Sequence, residues 1–265
     1  MSNITELIDV NLFKIYIHSN EEYISNHIKK YKAFEPYIGE VLIEIFKKYK
    51  NQQYTFIDIG ANIGYFSLLA AYFGLNVISF EPIHKNYSLF YNSILQNNLD
   101  HKITVYKNAL YNHNTELEFV TSDYNMGLCC LKDKSSHITN ISNIEKIDAK
   151  TFDYYFEKND QKLFYIVKID VELTESEVLE GMKNSIPYID CIIIEIGEDN
   201  KNCIKQLKQY GFIHAVNIGH TGDRKTELQM DTCYLDNNKY YYDIDNVDSL
   251  FKSTKQINIA VFKKL

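Results

Sequence analysis

Between residues 54 and 211 the chain alternates short apolar runs with longer segments of helical spacing. Runs rich in β-branched and aromatic residues predict buried strands at 54–59 (YTFIDI), 76–80, 102–107, 163–171 and 188–197. Apolar positions spaced three and four apart predict helices at 65–74, 84–98, 175–182 and 201–211. Strands and helices that alternate in this way predict an α/β fold, with a mostly parallel sheet and helices on both faces.

Two regions depart from this rhythm. Residues 1–50 predict an N-terminal helical arm, in which EPYIGEVLIEIFKKYK (35–50) has helical spacing. Strict polar and apolar alternation in TELEFV (115–120) predicts a half-exposed strand. We expect residues 51–265 to form one domain behind the arm, so the chain has a single catalytic domain overall.

Composition narrows the class of protein. The net charge of −7 disfavours a nucleic-acid partner, and the Lys clusters at 29 and 47 are typical of solvated helix faces. Five Cys without framework spacing favour reduced thiols. No signal peptide is evident and no apolar run reaches about 18 residues, so we expect a soluble cytoplasmic protein without a membrane partner.

The loop after the first strand carries the candidate chemistry. It reads Gly60-Ala61-Asn62-Ile63-Gly64, and Asn62 replaces the middle glycine of the dinucleotide fingerprint. No Lys-Ser/Thr pair follows, so the loop is not a phosphate-cradling P-loop. Asp58, just before the turn, would repel a phosphate and suits a cation. An ordinary strand-to-helix turn is the alternative interpretation of the two glycines.

An acidic residue ends the next strand. Glu81, followed by Pro82, lies where a carboxylate accepts the hydroxyls of a ribose. A ribose-binding acid without a phosphate site, beside a second acid, predicts a nucleoside ligand that bears a positive charge. S-adenosylmethionine has this chemistry.

Five segments resemble the FkbM family of S-adenosylmethionine-dependent methyltransferases. They are FEPYIGEVL (34–42), FIDIGANIGYFSLLAA (56–71), FEP (80–82), KNALYNHNTELEFV (107–120) and VKIDVELTESEVLEGM (167–182). The resemblance implies a Rossmann-like class I methyltransferase domain over 51–265, with a seven-stranded, mostly parallel sheet and one antiparallel strand near its edge. The last ~65 residues match less well.

The resemblance and the loop chemistry together give a predicted cofactor site. Asp58, Gly60, Asn62 and Gly64 are expected at the methionine part, with Ala61 in the same turn, and Glu81 with Pro82 at the ribose. Asn108 and Ala109 are expected at the adenine, and Glu35 closes the pocket from the arm.

The candidate general base follows the fourth predicted parallel strand. Asp170 is the first choice, and Glu172 lies two residues on, which on an extended chain is the same face. Lys168 shares that face. The alternative is that the two acids orient the cofactor loop or cap the next helix. No nearby His favours a metal, so no metal site is predicted, although oxygen-only sites are hard to recognise.

These residues predict an O-methyltransferase that acts on a hydroxyl of a sugar, glycan or small metabolite and releases S-adenosylhomocysteine. The oxygen acceptor is implied by the resemblance. Leu173-Thr174 replaces the family's Gly-Ala, and MGLCCL (126–131) replaces its Ser-rich stretch, so acceptor specificity stays open. Tyr124, Met126 and His220 are further candidates for acceptor contacts. The alternatives are a non-catalytic S-adenosylmethionine-binding module and a nicotinamide-dependent oxidoreductase, which Asn62 disfavours.

Overall fold

A computed structural model describes residues 5–19, 22–49, 54–122, 129–136, 141–156, 164–219, 241–244, 247 and 256–263. The strands in chain order are β1 (Thr5–Asp9), β2 (Lys14–His18), β3 (Tyr54–Ile59), β4 (Asn76–Phe80), β5 (Ile103–Tyr106), β6 (Ala109–Leu110), β7 (Thr115–Thr121), β8 (Cys130–Leu131), β9 (Asn143–Lys150), β10 (Phe164–Ile169), β11 (Ile189–Gly197), β12 (His214–Gly219), β13 (Tyr241–Asp243) and β14 (Gln256–Phe262). The helices are α1 (Tyr23–Tyr31), α2 (Pro36–Tyr49), α3 (Tyr65–Tyr72), α4 (His84–Gln96), α5 (Phe152–Phe156), α6 (Glu175–Glu180) and α7 (Asn202–Gln209).

The main sheet is mixed, and its strand order is β13-β12-β14-β11-β10-β3-β4-β5. The five strands from β11 to β5 are parallel neighbours, whereas β14 runs antiparallel to both β11 and β12. The antiparallel strand near the edge therefore exists as expected. Seven strands were predicted and the described residues form eight, because the short β13 pairs with the outer side of β12.

Helices cover both faces of this sheet, as the pattern predicted. Successive residues of β3 point to opposite faces, so Phe56 packs in a core with α2, α3 and α4, and Ile57 packs in a second core with α5, α6 and α7. The predicted strand and helix bounds from 54 to 211 agree with the observed ones to within a few residues. Near-continuous apolar runs identify such strands because both of their faces are buried.

The N-terminal arm is not wholly helical. It begins with an antiparallel hairpin, β1–β2, and only then continues as α1 and α2. The predicted helix at 35–50 corresponds to α2, but the hairpin was missed even though KIYIH alternates strictly and buries Ile15 and Ile17. The hairpin packs on α4, where Tyr16 N donates to Ser93 Oγ at 2.9 Å. The predicted division of the chain at residue 50 stays a prediction.

The structure also contains a second sheet of four strands, in the order β6-β9-β7-β8. The strand predicted at 115–120 is β7 and belongs to this sheet rather than to the main one. Ala109, Leu110, Phe119 and Cys129 from this region form one wall of a cavity at the main sheet's edge.

Candidate active site

A cavity of about 300 Å³ lies at the carboxyl ends of the parallel strands. The strand ends, the second sheet and the arm all contribute to its walls, which is where open α/β sheets bind ligands. All but two of the predicted site residues line it; those that do are Glu35, Gly60, Ala61, Asn62, Glu81, Pro82, Asn108, Ala109, Asp170 and Glu172.

Gly60 packs too closely against β10 to carry a side chain. Its φ is +81°, and a Cβ there would lie 1.8 Å from the carbonyl oxygen of Asp170. The N–H groups of Gly60 and Ala61 both donate to the Phe80 carbonyl at 3.0 Å. The turn is therefore fixed to the ends of two strands at once.

The local backbone conformation explains why residue 62 is an asparagine, which the sequence pattern did not explain. Its φ of 52° is left-handed, a conformation that Asn tolerates better than most residues. Its side-chain Oδ1 accepts from the next N–H, that of Ile63, at 2.8 Å, and its own N–H donates to Glu81 Oε2 at 2.8 Å. Asn62 thus shapes the turn and joins it to the predicted ribose acid.

Glu81 is buried and held by backbone groups. Besides the Asn62 N–H, the Ile83 N–H donates to Oε1 at 2.9 Å, and the Asn86 side chain also bonds the carboxyl. Burial raises the pKa of Glu81 to about 7, and these hydrogen bonds oppose the rise. Each carboxylate oxygen has a further lone pair, so Glu81 can still accept from a ligand.

Asp58 and Gly64 support the turn from behind rather than lining the cavity. Ser67 Oγ donates to Asp58 Oδ2 at 2.6 Å, and Oδ1 has no hydrogen-bond partner among the described residues. Burial raises the pKa of Asp58, although the charge of Lys168 opposes it. A Cβ on Gly64 would lie 2.0 Å from the ring of Phe90, so this glycine allows α3 and α4 to approach.

The predicted adenine end of the cavity is apolar, and its polar residue, Asn108, already forms hydrogen bonds within the protein. Asn108 Nδ2 donates to the carbonyl and the carboxylate of Asp148, at 3.1 and 3.0 Å, and its Oδ1 accepts from Tyr155. The side chain of Asn108 therefore ties the sheets together. Ala109 and Leu110 provide an apolar wall, which suits a flat aromatic base.

The opposite end of the cavity gathers acids around one buried lysine. Lys168 Nζ lies 2.9 Å from Asp170 Oδ2 and 5.3 Å from the centre of the Phe66 ring. Burial would lower the pKa of Lys168, but the charges of Asp170, Asp58 and Glu35 raise it overall. Burial would likewise raise the pKa of Asp170, yet Lys168 lowers it overall.

Glu195 completes this end, and sequence reasoning missed it as a site residue. It lies near the carboxyl end of β11, lines the cavity and hydrogen-bonds the side chain of Asp170. Its position at the end of a central strand was the available signal. Glu35 comes from the arm; its Oε2 is buried with no partner among the described residues, and burial, followed by the charge of Asp170, raises its pKa to about 7.

The segment after Asp170 is not extended, contrary to the assumption that placed Glu172 on the same face. Glu172 and Leu173 have φ of 55° and 75°. The Glu175 carboxylate accepts from the N–H of Val171 and of Leu173, both at 3.3 Å, and Lys134 Nζ donates to the Leu173 carbonyl at 2.6 Å. Glu172 nevertheless reaches the same cavity as Asp170.

Glu172 makes no hydrogen bond or ion pair with any residue that the structure describes. Burial raises its pKa to about 8, and the charges of Asp170, Glu175 and Glu35 add to the rise. A carboxyl with these properties is ionised or protonated at nearly equal cost near neutral pH, which is the condition for efficient proton transfer.

Three candidate acceptor residues cannot be placed relative to the cavity. Tyr124, Met126 and His220, with the first half of the segment 126–131, fall outside the described residues. Within the described part of the chain, no group of three or more His, Cys, Asp or Glu is arranged to hold a metal ion. No described helix is both long and apolar enough to cross a membrane.

Comparison with solved structures gives remote similarities. Trm5 of Methanocaldococcus jannaschii in complex with adenosine is 11% identical over 100% of this chain and 57% of that one, with a TM-score of 0.46. The complex of aTrm5 and tRNALeu is 11% identical over 98% and 53%, with a TM-score of 0.45. Precorrin-6y C5,15-methyltransferase of Geobacter metallireducens GS-15 is 10% identical over 84% and 89%, with a TM-score of 0.41. The chain thus spans about half the length of the two Trm5 chains. Among curated protein sequences none matches this chain.

The family comparison is decisive, because it covers more than half of the chain. The model of the methyltransferase FkbM domain matches residues 58–214, from Asp58 in β3 to the start of β12. This range contains the glycine turn, Glu81, the Lys168–Asp170 pair and Glu195. The cofactor of such methyltransferases is S-adenosylmethionine, as the turn and Glu81 had indicated. The chain belongs to the FkbM methyltransferase family.

Proposed function

We propose that this protein is an S-adenosylmethionine-dependent O-methyltransferase acting on a hydroxyl of a sugar, glycan or other small metabolite. The observation that supports it is the carboxyl of Glu172, which has no hydrogen-bond or ion-pair partner among the described residues and lies in the same cavity as the glycine turn and Glu81. A carboxyl of this kind can take the proton that a hydroxyl must lose. The net charge of −7 and the acidic cavity wall disfavour a nucleic-acid acceptor.

The residues of the cavity fit the cofactor chemically. In the described part of the chain, five acidic side chains and one lysine line the cavity, and this excess of acids favours a ligand with an ammonium and a sulfonium charge. The acids are Glu35, Glu81, Asp170, Glu172 and Glu195. Among the residues that the structure describes, the buried Glu35 Oε2 has no hydrogen-bond partner, as expected of an atom that pairs with a cationic ligand. Glu81 suits the ribose and the wall at Ala109 and Leu110 suits the base. We infer that Glu35, Glu81 and this apolar wall hold the cofactor.

The protein accelerates methyl transfer mainly by positioning the acceptor and the cofactor. When bound, S-adenosylmethionine supplies an electrophilic methyl group and is left as neutral S-adenosylhomocysteine. The protein must hold the acceptor oxygen in line and exclude water, and alignment of this kind contributes roughly 7–11 kcal/mol. A general base contributes a further factor of about 10²–10⁴. The sequence favoured Asp170 as this base, with Glu172 beside it.

Ligand-dependent thermal stability tests the cofactor assignment. The melting temperature is measured with S-adenosylmethionine, S-adenosylhomocysteine and NAD at equal concentrations. We expect the two methionine nucleosides to raise it and NAD to leave it unchanged. Stabilisation by NAD alone would overturn the assignment in favour of an oxidoreductase.

Transfer of a labelled methyl group then tests the reaction. The protein is incubated with methyl-labelled S-adenosylmethionine and a panel of monosaccharides, glycans, small alcohols, amines and RNA. We expect label on a hydroxyl of a sugar or small metabolite. Label on an amine or on RNA would overturn the proposed acceptor class. If the protein binds the cofactor but labels nothing, it is the non-catalytic module instead. The observation that favours this alternative is Leu173, which replaces a small residue of the family.

A further inference from the structure

Asp170 directly follows β10 and Glu195 lies on β11, the neighbouring parallel strand, so that the two carboxyls line the same cavity and lie close enough to share a hydrogen bond. An ionised carboxylate has acceptors and no donor, so two ionised carboxylates cannot bond each other. A hydrogen bond between them therefore requires that one of the two carries a proton. The question is which of them does, and what this means for the neighbouring Glu172.

The surroundings of the two groups decide the question. Asp170 lies 2.9 Å from the buried ammonium of Lys168, which favours its ionised form. The charged groups that act on Glu195 are instead acidic, and they come from three directions: Asp170 after β10, Glu172 in the following loop, and Glu35 from the arm. Glu195 is partly buried among these acids, so its neutral form is the stable one.

We propose that Glu195 is a positioning residue that carries a proton and donates it in a hydrogen bond to Asp170, so that Lys168 and Glu195 together hold Asp170 as a fixed anion and leave Glu172 as the base of the reaction. This rests on the proposed function for the role of Glu172, but not for the proton on Glu195. It reverses the order of preference that the sequence gave to Asp170 and Glu172.

The proton balance of the reaction follows from this division. The acceptor's O–H bond breaks, its proton passes to Glu172, and the oxygen's electron pair forms the new O–CH₃ bond, while the broken S–CH₃ bond leaves its electron pair on sulfur. Asp170 takes no proton, because the charge of Lys168 and the hydrogen bond from Glu195 both stabilise its ionised form. Its fixed negative charge faces the cavity throughout.

The pKa directions agree with the geometry. Burial, and then the charge of Asp170, raises the pKa of Glu195 well above its ordinary value. The pKa of Asp170 is lowered, whereas that of Glu172 is raised to about 8. Glu172 is therefore poised near neutral pH, and Asp170 is not.

Infrared spectroscopy of the free protein tests the proton directly, without an acceptor. The difference spectrum of wild type minus Glu195→Gln at neutral pH should contain the carbonyl stretch of a protonated carboxylic acid. That band should shift when the protein is labelled with ¹³C-glutamate and stay in place with ¹³C-aspartate. Glu198→Gln, an exposed acid just beyond the same strand, is the matched control and should give no such band.

The glutamine variant keeps a donor for Asp170, so it should fold and bind S-adenosylhomocysteine with an affinity within about threefold of wild type. Glu195→Leu has no donor and should bind it at least tenfold more weakly. A difference spectrum without the acid band, or a band that follows the aspartate label, would overturn the proposal.

Methyl transfer supplies the second readout. On the acceptor that the labelling panel identifies, Glu172→Gln should lower kcat by about 10²–10⁴ and remove the rise of kcat with pH, and Glu195→Gln should keep that rise. A Glu172→Gln enzyme with an unchanged pH profile would overturn the base assignment. If no acceptor is labelled at all while the acid band is present, the proposed function fails and the proton on Glu195 stands.

Discussion

The two ends of the cavity are built on opposite principles. At the glycine turn, polar groups are satisfied by nearby backbone, as when Asn62 N and Ile83 N both donate to Glu81. At the acid end, side chains that are far apart in sequence satisfy one another: Asp170 bonds Lys168 and Glu195. Backbone conformation and backbone hydrogen bonds therefore hold the glycine turn, whereas attraction and repulsion between charged side chains hold the acid end.

This difference indicates which changes each end tolerates. The packing at Gly60 and Gly64 leaves no room for a side chain, so an atom added at either position should be disruptive whatever its polarity. The acid end depends on protonation, so pH and isosteric changes should tune it gradually. The predictions below test that contrast.

Gly60→Ala should have the largest effect. Its Cβ would lie 1.8 Å from the Asp170 carbonyl oxygen at a φ of +81°, so we expect a loss of stability of about 3 kcal/mol or more and loss of S-adenosylhomocysteine binding. Gly74→Ala is the matched control, because Gly74 also has a positive φ but has nothing within 4 Å of its Cβ. It should lose about 1–2 kcal/mol by denaturant unfolding. Equal losses in the two variants would contradict the close packing of the turn.

Glu81→Ala should weaken cofactor binding more than it affects folding. It removes a carboxylate that holds the Asn62 and Ile83 N–H groups and that we place at the ribose. Loss of charge-assisted hydrogen bonds of about 1.5–3 kcal/mol corresponds to roughly 10–150-fold in Kd by titration calorimetry. Glu116→Ala, on the exposed face of β7, should leave Kd unchanged. An unchanged Kd in Glu81→Ala would remove the ribose assignment.

The pH dependence of stability and of binding should run in opposite directions. The pKa values of Glu35 and Glu81 are raised to about 7 and that of Glu172 to about 8, all above the ordinary value of 4.5. The folded state therefore holds extra protons, so its stability should fall as pH rises through 7 to 8. A cationic ligand favours the ionised forms, so affinity for S-adenosylmethionine should rise over the same range and then level off.

Both trends can be measured in one buffer series between pH 6 and pH 9, as the melting temperature without ligand and the Kd of S-adenosylmethionine. Glu35→Gln removes one of the titrating groups and should flatten both curves. Parallel trends, or curves that Glu35→Gln leaves unchanged, would show that these carboxyls are not linked to the ligand.

Substitutions of Leu173 should have the smallest effect on stability, and the glycine variant should be more stable than the alanine variant. Its φ of 75° is left-handed, and glycine adopts that conformation without strain. Leu173→Ala loses the side chain and keeps the strain, whereas Leu173→Gly relieves it. We expect Leu173→Gly to be about 1 kcal/mol more stable than Leu173→Ala in denaturant unfolding, the reverse of the usual order. The usual order would show that the loop relaxes away from this conformation.

The sequence predicted the parallel core and the turn because their signals are local. A buried run such as 54–59 carries its own pattern, and Gly60 and Asn62 reflect the φ values of their own positions. Glu195 was missed because its role arises only where β11 lies beside β10, a contact between residues far apart along the chain. The hairpin was missed because five-residue strands carry little signal before their packing is known.

The hydrogen bonds that leave the hairpin affect whether residues 51–265 can function without the arm. His18 Nε2 donates to Asn86 Oδ1 at 2.9 Å, and the side chain of Asn86 bonds Glu81. The first fifty residues therefore supply Glu35 to the wall and also brace the acid that we assign to the ribose. A fusion protein that borrowed only residues 51–265 would contain the whole stretch that matches the family, 58–214, and still lack two parts of its cofactor site.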